Sequence, residues 1–163
     1  MDHLTQFVGA ALKIGNAAIV AATESRRASL LPRLQMYGVD IGVAIEQGRY
    51  LALDAAYGLS TFMRDGRPDP ALFMRAFGNL ITTALKSTKV DHPRVAIFGE
   101  CVHLLWEHGN AEAAVQMEKL GNRLIRTHPV DILCGYSVGA GQGGMNHEMI
   151  QRICAEHSAV YSG

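Results

Sequence analysis

The residues able to do chemistry gather at a few points of the 163-residue chain. Asp54 closes the run Gly48-Arg49-Tyr50-Leu51-Ala52-Leu53-Asp54, and Glu100 follows Arg94-Val95-Ala96-Ile97-Phe98-Gly99. Thr23-Glu24 and Tyr136-Ser137 end two further apolar runs. Two carboxylates and a phenol brought to one edge form a polar binding site or a proton-transfer pair. The alternative is that Asp54 and Glu100 cap the helices behind them, because the macrodipole favours an acid near a helix N-terminus. Both readings stand at this level. Glu100 is the stronger candidate, since Gly99 allows close backbone approach beside it. Trp106, the only tryptophan, belongs either to the core or to the wall of a ligand cleft.

Other motifs carry less. Cys101-x-His103, His108, Cys134, Cys154 and His157 are zinc-type ligands, but none of their spacings is a C-x-x-C or H-x-x-x-H pair. We therefore expect core thiols and no metal site. A phosphate loop would follow the first strand with glycines and a lysine; here Thr23-Glu24-Ser25-Arg26-Arg27 follows, and the carboxylate of Glu24 would repel phosphate. Gly139-x-Gly141-x-x-Gly144 matches the dinucleotide fingerprint by letters, yet only nineteen residues follow Gly144, too few to complete a βαβ unit. We read it as a loop, a candidate lid, and expect no cofactor. No G-x-S-x-G nucleophile elbow is present, and no catalytic residue is assigned.

The elements that position these residues alternate. Strands are predicted over Ala17–Thr23, Gly48–Asp54, Arg94–Gly99 and Val130–Tyr136, with Ile41–Ile45 a weaker strand candidate. Helices are predicted over Ser25–Tyr37, Ala55–Met63, Cys101–His108 and Asn146–His157. Two longer helices follow Asp69-Pro70 and Asn110, residues that cap or open a helix well. Pro32 implies that the first helix is kinked or starts late, with Ser29 as its N-cap. The order calls for an α/β three-layer sandwich around a mostly parallel central sheet. Right-handed crossovers then bring Asp54, Glu100 and Tyr136 to one edge.

Composition bounds the rest. Fifteen Lys plus Arg balance fifteen Asp plus Glu, which weakens readings that need a positive surplus to engage nucleic acid or an anionic membrane. The longest apolar run, Ala17–Ala22, falls far short of the roughly 18 residues of a bilayer span. The N-terminus has no basic cluster leading into an apolar core, and three widely spaced cysteines imply no disulfide framework, so a cytoplasmic location is expected. No repeat or linker divides the chain, which reads as a single domain over 1–163.

Four blocks carry a resemblance. Gly48–Ala55, Phe62–Asp69, Phe98–Asn110 and Ile132–Tyr136, in this order, resemble the MEDS domain, the methanogen/methylotroph DcmR sensory domain; Ile153–Ser158 resembles its usual tail. The resemblance implies a RecA/KaiC-like fold that has lost its phosphate loop. It also implies a non-catalytic signal-input role for a histidine kinase or transcriptional regulator, and sensing of a small organic ligand, a hydrocarbon derivative. Positions carried over include Asp54, Asp65, Gly66, Gly99, Glu100, Trp106, Asn110, Glu118, Asn122, Cys134 and Tyr136. His103 and Gly121 depart from the pattern, where a smaller and a larger residue respectively are usual; a small Gly121 widens any cavity beside it.

The expected ligand site is accordingly Asp54, Glu100, Trp106 and Tyr136, with Trp106 as the apolar wall. A homodimer is expected, with the output module in cis or in trans. The competing readings are a degenerate nucleotide-binding domain without ATPase activity and a small enzyme using Glu100 and Asp54.

Overall fold

The computed structural model describes residues 2–136 together with 151, 152 and 155. Ser137, the expected Gly139–Gly144 loop, Cys154 and His157 as ligands, and the expected helix at Asn146–His157 except for 151, 152 and 155, which are helical, lie outside the described residues. Within them the chain runs α1 (His3–Lys13), β1 (Ala17–Ala22), α2 (Glu24–Met36), α3 (Ile41–Glu46), β2 (Tyr50–Asp54), α4 (Ala55–Phe62), β3 (Met63–Arg64), β4 (Arg67–Pro68) and α5 (Pro70–Lys86). It continues through β5 (Val95–Gly99), α6 (Cys101–Glu107), α7 (Ala111–Thr127) and β6 (Val130–Cys134).

Four strands form a parallel sheet in the order β2-β1-β5-β6. Every residue of β1 is buried, because the strand is central and covered on both faces. Its side chains alternate between two cores. Ala17, Ile19 and Ala21 face α4, α5, α6 and α7, while Ala18, Val20 and Ala22 face α1, α2 and α3. The result is a three-layer sandwich, the α/β class expected. The chain leaves β1 across one helical layer to reach β2, then returns through the other layer to β5 on the opposite side of β1. That reversal makes the carboxyl ends of β1 and β5 the switch point, where the general rule for open α/β sheets places a ligand crevice.

The predicted strands are present, the last ending at Cys134, two residues earlier than predicted. One local expectation changes, one alternative is decided, and one helix is additional. Ile41–Ile45 is helical, not a strand: Asp40 accepts the Val43 N–H at 3.1 Å as N-cap, and the chain buries Ile41 and Ala44 at helical spacing while leaving Val43 and Ile45 exposed. The helix carrying Pro32 starts at Glu24, so the proline sits inside it and Ser29 is no cap. An N-terminal helix, α1, precedes the first strand; Asp2 caps it by accepting the Thr5 N–H at 2.7 Å, and Thr5, Val8, Gly9 and Leu12 form its buried stripe.

Between α4 and α5 lies a two-stranded hairpin turning on Asp65-Gly66, both at positive φ as a tight hairpin turn requires. Asn110 ties it down, donating from Nδ2 to the Gly66 carbonyl at 2.6 Å while accepting the Ala113 N–H as the N-cap of α7.

Candidate functional site

The sheet does carry Asp54, Glu100 and Tyr136 to its carboxyl edge, on β2, after β5 and after β6. Their bonding separates them into three groups. Asp54 caps α4, accepting the Tyr57 N–H at 3.0 Å, and also accepts from Arg27 at 3.2 Å. The Tyr57 amide and then Arg27 hold its carboxyl below the ordinary aspartate value.

Glu100 is 2% exposed and gives its own helix no side-chain cap. Its carboxylate crosses to the end of β1 instead. Oε2 accepts the Thr23 N–H at 2.8 Å and the Thr23 hydroxyl at 3.1 Å, and Oε1 accepts Arg26 Nε at 2.7 Å. A protein carboxylate thus stands at the N-terminus of α2, beside the switch point, where the helix dipole and free amides would favour the phosphate of a bound nucleotide. Trp106 is partly buried on α6, and its carbonyl accepts the Gly109 N–H that closes the helix.

Tyr136 points elsewhere, donating its hydroxyl to Glu118 Oε1. Glu118 lies on α7, is 5% exposed, and accepts the Cys134 thiol at Oε2, 3.8 Å away. This cluster lies at the wall of a cavity of about 230 Å³ between the sheet and α5, α6 and α7. The floor is Ala21, Ile97, Gly99, Ile132 and Cys134 of three adjacent strands; the roof is Phe73 and Phe77 of α5, Cys101 and Val102 of α6, and Met117, Glu118, Gly121, Asn122, Leu124 and Ile125 of α7. Asp54, Glu100, Trp106 and Tyr136 are not among the lining residues; Tyr136 reaches the cavity through Glu118.

Small side chains explain the opening. Gly99 has open space where a Cβ would project, and a Cβ on Gly121 would meet only Ile132 Cδ1, at 3.9 Å. Larger residues at Ala21, Gly99 and Gly121 would fill the gap that the aromatic side chains of α5 leave. Close packing forbids such volume in most interiors, so a retained cavity with a few placed polar groups is the form of a small-molecule site. Glu118 and Asn122 enter from the sequence only as positions that match the family resemblance. Their signal was the helical spacing of Met117, Glu118, Gly121 and Asn122, one stripe with two polar members on a buried helix face.

Burial pushes the Cys101 thiol up to about 12, and burial together with neighbouring Glu118 pushes Cys134 well above the ordinary thiol value. Both are neutral thiols at physiological pH, weak as nucleophiles and as ligands. Among the described residues no group of three His, Cys, Asp or Glu side chains could hold a metal ion. Nor, among them, is any helix long and apolar enough to cross a membrane.

Residues 1–157 match the family described as MEDS, the methanogen/methylotroph, DcmR sensory domain. No curated protein matches the chain.

Proposed function

The chain belongs to the MEDS family of sensory domains, and from that membership we propose that it is a non-catalytic signal-input domain whose ligand occupies the cavity between the sheet and α5, α6 and α7. The observation that carries the reading is the cavity itself. At about 230 Å³ it exceeds the roughly 150 Å³ that suffices for benzene in an engineered apolar cavity, so it suits a small organic molecule such as a hydrocarbon derivative. Phe73, Phe77, Ile97 and Met117 supply apolar contact, and the Glu118 group supplies orientation. In this reading Tyr136 acts through Glu118, while Asp54 and Glu100 hold the sheet edge in shape and Trp106 lies outside the site.

The open parallel sheet without a phosphate loop fits a RecA/KaiC-like core that has exchanged nucleotide for another ligand. Glu100 favours that exchange, because its carboxylate holds the Thr23 amide before α2 and the Arg26 guanidinium, donors that a phosphate would need. The proposal includes a single domain, a cytoplasmic setting, a homodimer, and a histidine kinase or transcriptional regulator as the receiver of the signal.

A thermal-shift panel of halocarbons, short alcohols and nucleotides, run on the natural chain and on Gly121→Leu, tests the reading. Ligands of the folded state raise Tm by mass action. Organic compounds are expected to raise it in the natural chain and not in Gly121→Leu, whose side chain occupies the cavity. Magnesium-dependent stabilisation by a nucleotide, with no response to any organic compound, would overturn it.

A further inference from the structure

Among the described residues the cavity wall is apolar apart from Glu118 and Asn122 of α7 and the thiols of Cys101 and Cys134, and Glu118 is its one acidic member. Glu118 is buried, lines the cavity, and accepts at both oxygens, from the Tyr136 hydroxyl and the Cys134 thiol. Both bonds use the carboxyl oxygens as acceptors, the role an ionised glutamate takes. The neighbouring thiols are neutral and weakly polar, so no other wall group rivals it in hydrogen-bonding strength except the Asn122 amide one residue beyond Gly121.

We infer that Glu118 selects ligands bearing a hydrogen-bond donor, a hydroxyl or an amine on a small apolar body, and rejects acids of the same size. This deepens the reading of the cavity as the sensory site and rests on it. The physical case is the asymmetry of buried hydrogen bonds. A donor reaching Glu118 makes a charge-assisted bond away from water, whereas a purely apolar ligand offers the carboxylate no hydrogen bond. An acid brings a second negative charge against the first, which forces one of the two to protonate or leave. The geometry orients the ligand as well. The carboxylate sits on α7, and the rings of Phe73 and Phe77 lie 4.7 Å apart, centroid to centroid, on α5, so the apolar body faces α5 while its polar end faces α7.

Phenol, toluene and benzoate share a ring and differ in this one property, so their Kd values for the natural chain, Glu118→Gln and Gly121→Leu separate the possibilities. The natural chain is expected to bind phenol on the order of tenfold more tightly than toluene, and benzoate not at all. In Glu118→Gln the phenol preference should shrink to within about threefold and benzoate should gain binding. Gly121→Leu should bind none of the three. Toluene and phenol binding alike in the natural chain, or a preference that persists unchanged in Glu118→Gln, would overturn the role of Glu118 while leaving the cavity as the site. Binding of all three that survives Gly121→Leu would overturn the cavity as well, and so would a natural chain that binds none of the three. Circular dichroism and the urea midpoint of each variant establish that the chains compared are folded.

Discussion

Glu100 is an acid whose value lies in the contacts it makes across the sheet. It ties β5 to the start of α2 through Thr23 and Arg26, so Glu100→Ala removes the acceptor from two partly buried Thr23 donors and one half-exposed guanidinium. A loss of about 2–3 kcal/mol is expected from the urea midpoint, with ligand-induced Tm shifts unchanged. A lost ligand response at unchanged stability would return Glu100 to the binding site. The two buried thiols give a second residue-scale expectation, this time in pH. Their folded pKa values lie above the ordinary value of 9.0, so above that pH the unfolded chain releases protons that the folded chain keeps. Stability is therefore full below about pH 9 and falls as pH rises toward 12, and buried Tyr50, also shifted upward, adds in the same direction. Cys101→Ala should flatten part of this alkaline decline, as measured by Tm against pH. The placing of Asp54, Glu100 and Tyr136 on one edge was legible in the sequence, because strand ends and crossovers determine it. Their partners were not. Nothing in the letters around Glu100 tells that its carboxylate turns toward Thr23, 77 residues earlier in the chain, rather than into a pocket.

Elements were legible where burial is complete and opaque where it is one-sided. The all-apolar β1 and the Phe73, Phe77, Ile81 stripe of α5 announce themselves. The short run Ile41-Gly42-Val43-Ala44-Ile45 fits a strand or a helix by composition, and the Asp40 cap decides for the helix. α1 escaped because its stripe uses Thr5 and Gly9, a polar residue and one without a side chain. Gly9 is required there because a Cβ would stand 2.4 Å from Cδ1 of the Tyr37 ring packed against it. Gly121 of α7 is the opposite case, a helical glycine with room above it. Gly121→Ala should stabilise the fold by about 0.5–1 kcal/mol through helix propensity, since its new methyl meets only Ile132 at ordinary contact distance. A destabilised Gly121→Ala in chemical denaturation would mean that α7 packs closer to the sheet than described.

At the scale of the whole molecule, two places bear on the ligand: the switch point beyond the ends of β1 and β5, and the cavity under α5, α6 and α7. Sequence reasoning pointed to the first, because the general rule for open parallel sheets names strand ends. The cavity depends on three small residues from separate elements, Ala21, Gly99 and Gly121, whose joint effect exists only once the layers stack. Methyl NMR during titration with toluene and with phenol distinguishes the two most directly. The account predicts saturable shifts at Ile97, Met117, Ile132 and Ile125, which line the cavity, and none at Val8, Val20 or Leu30 in the opposite layer. Saturable shifts confined to the opposite layer or to residues flanking Glu100, with the cavity methyls unmoved, would contradict it.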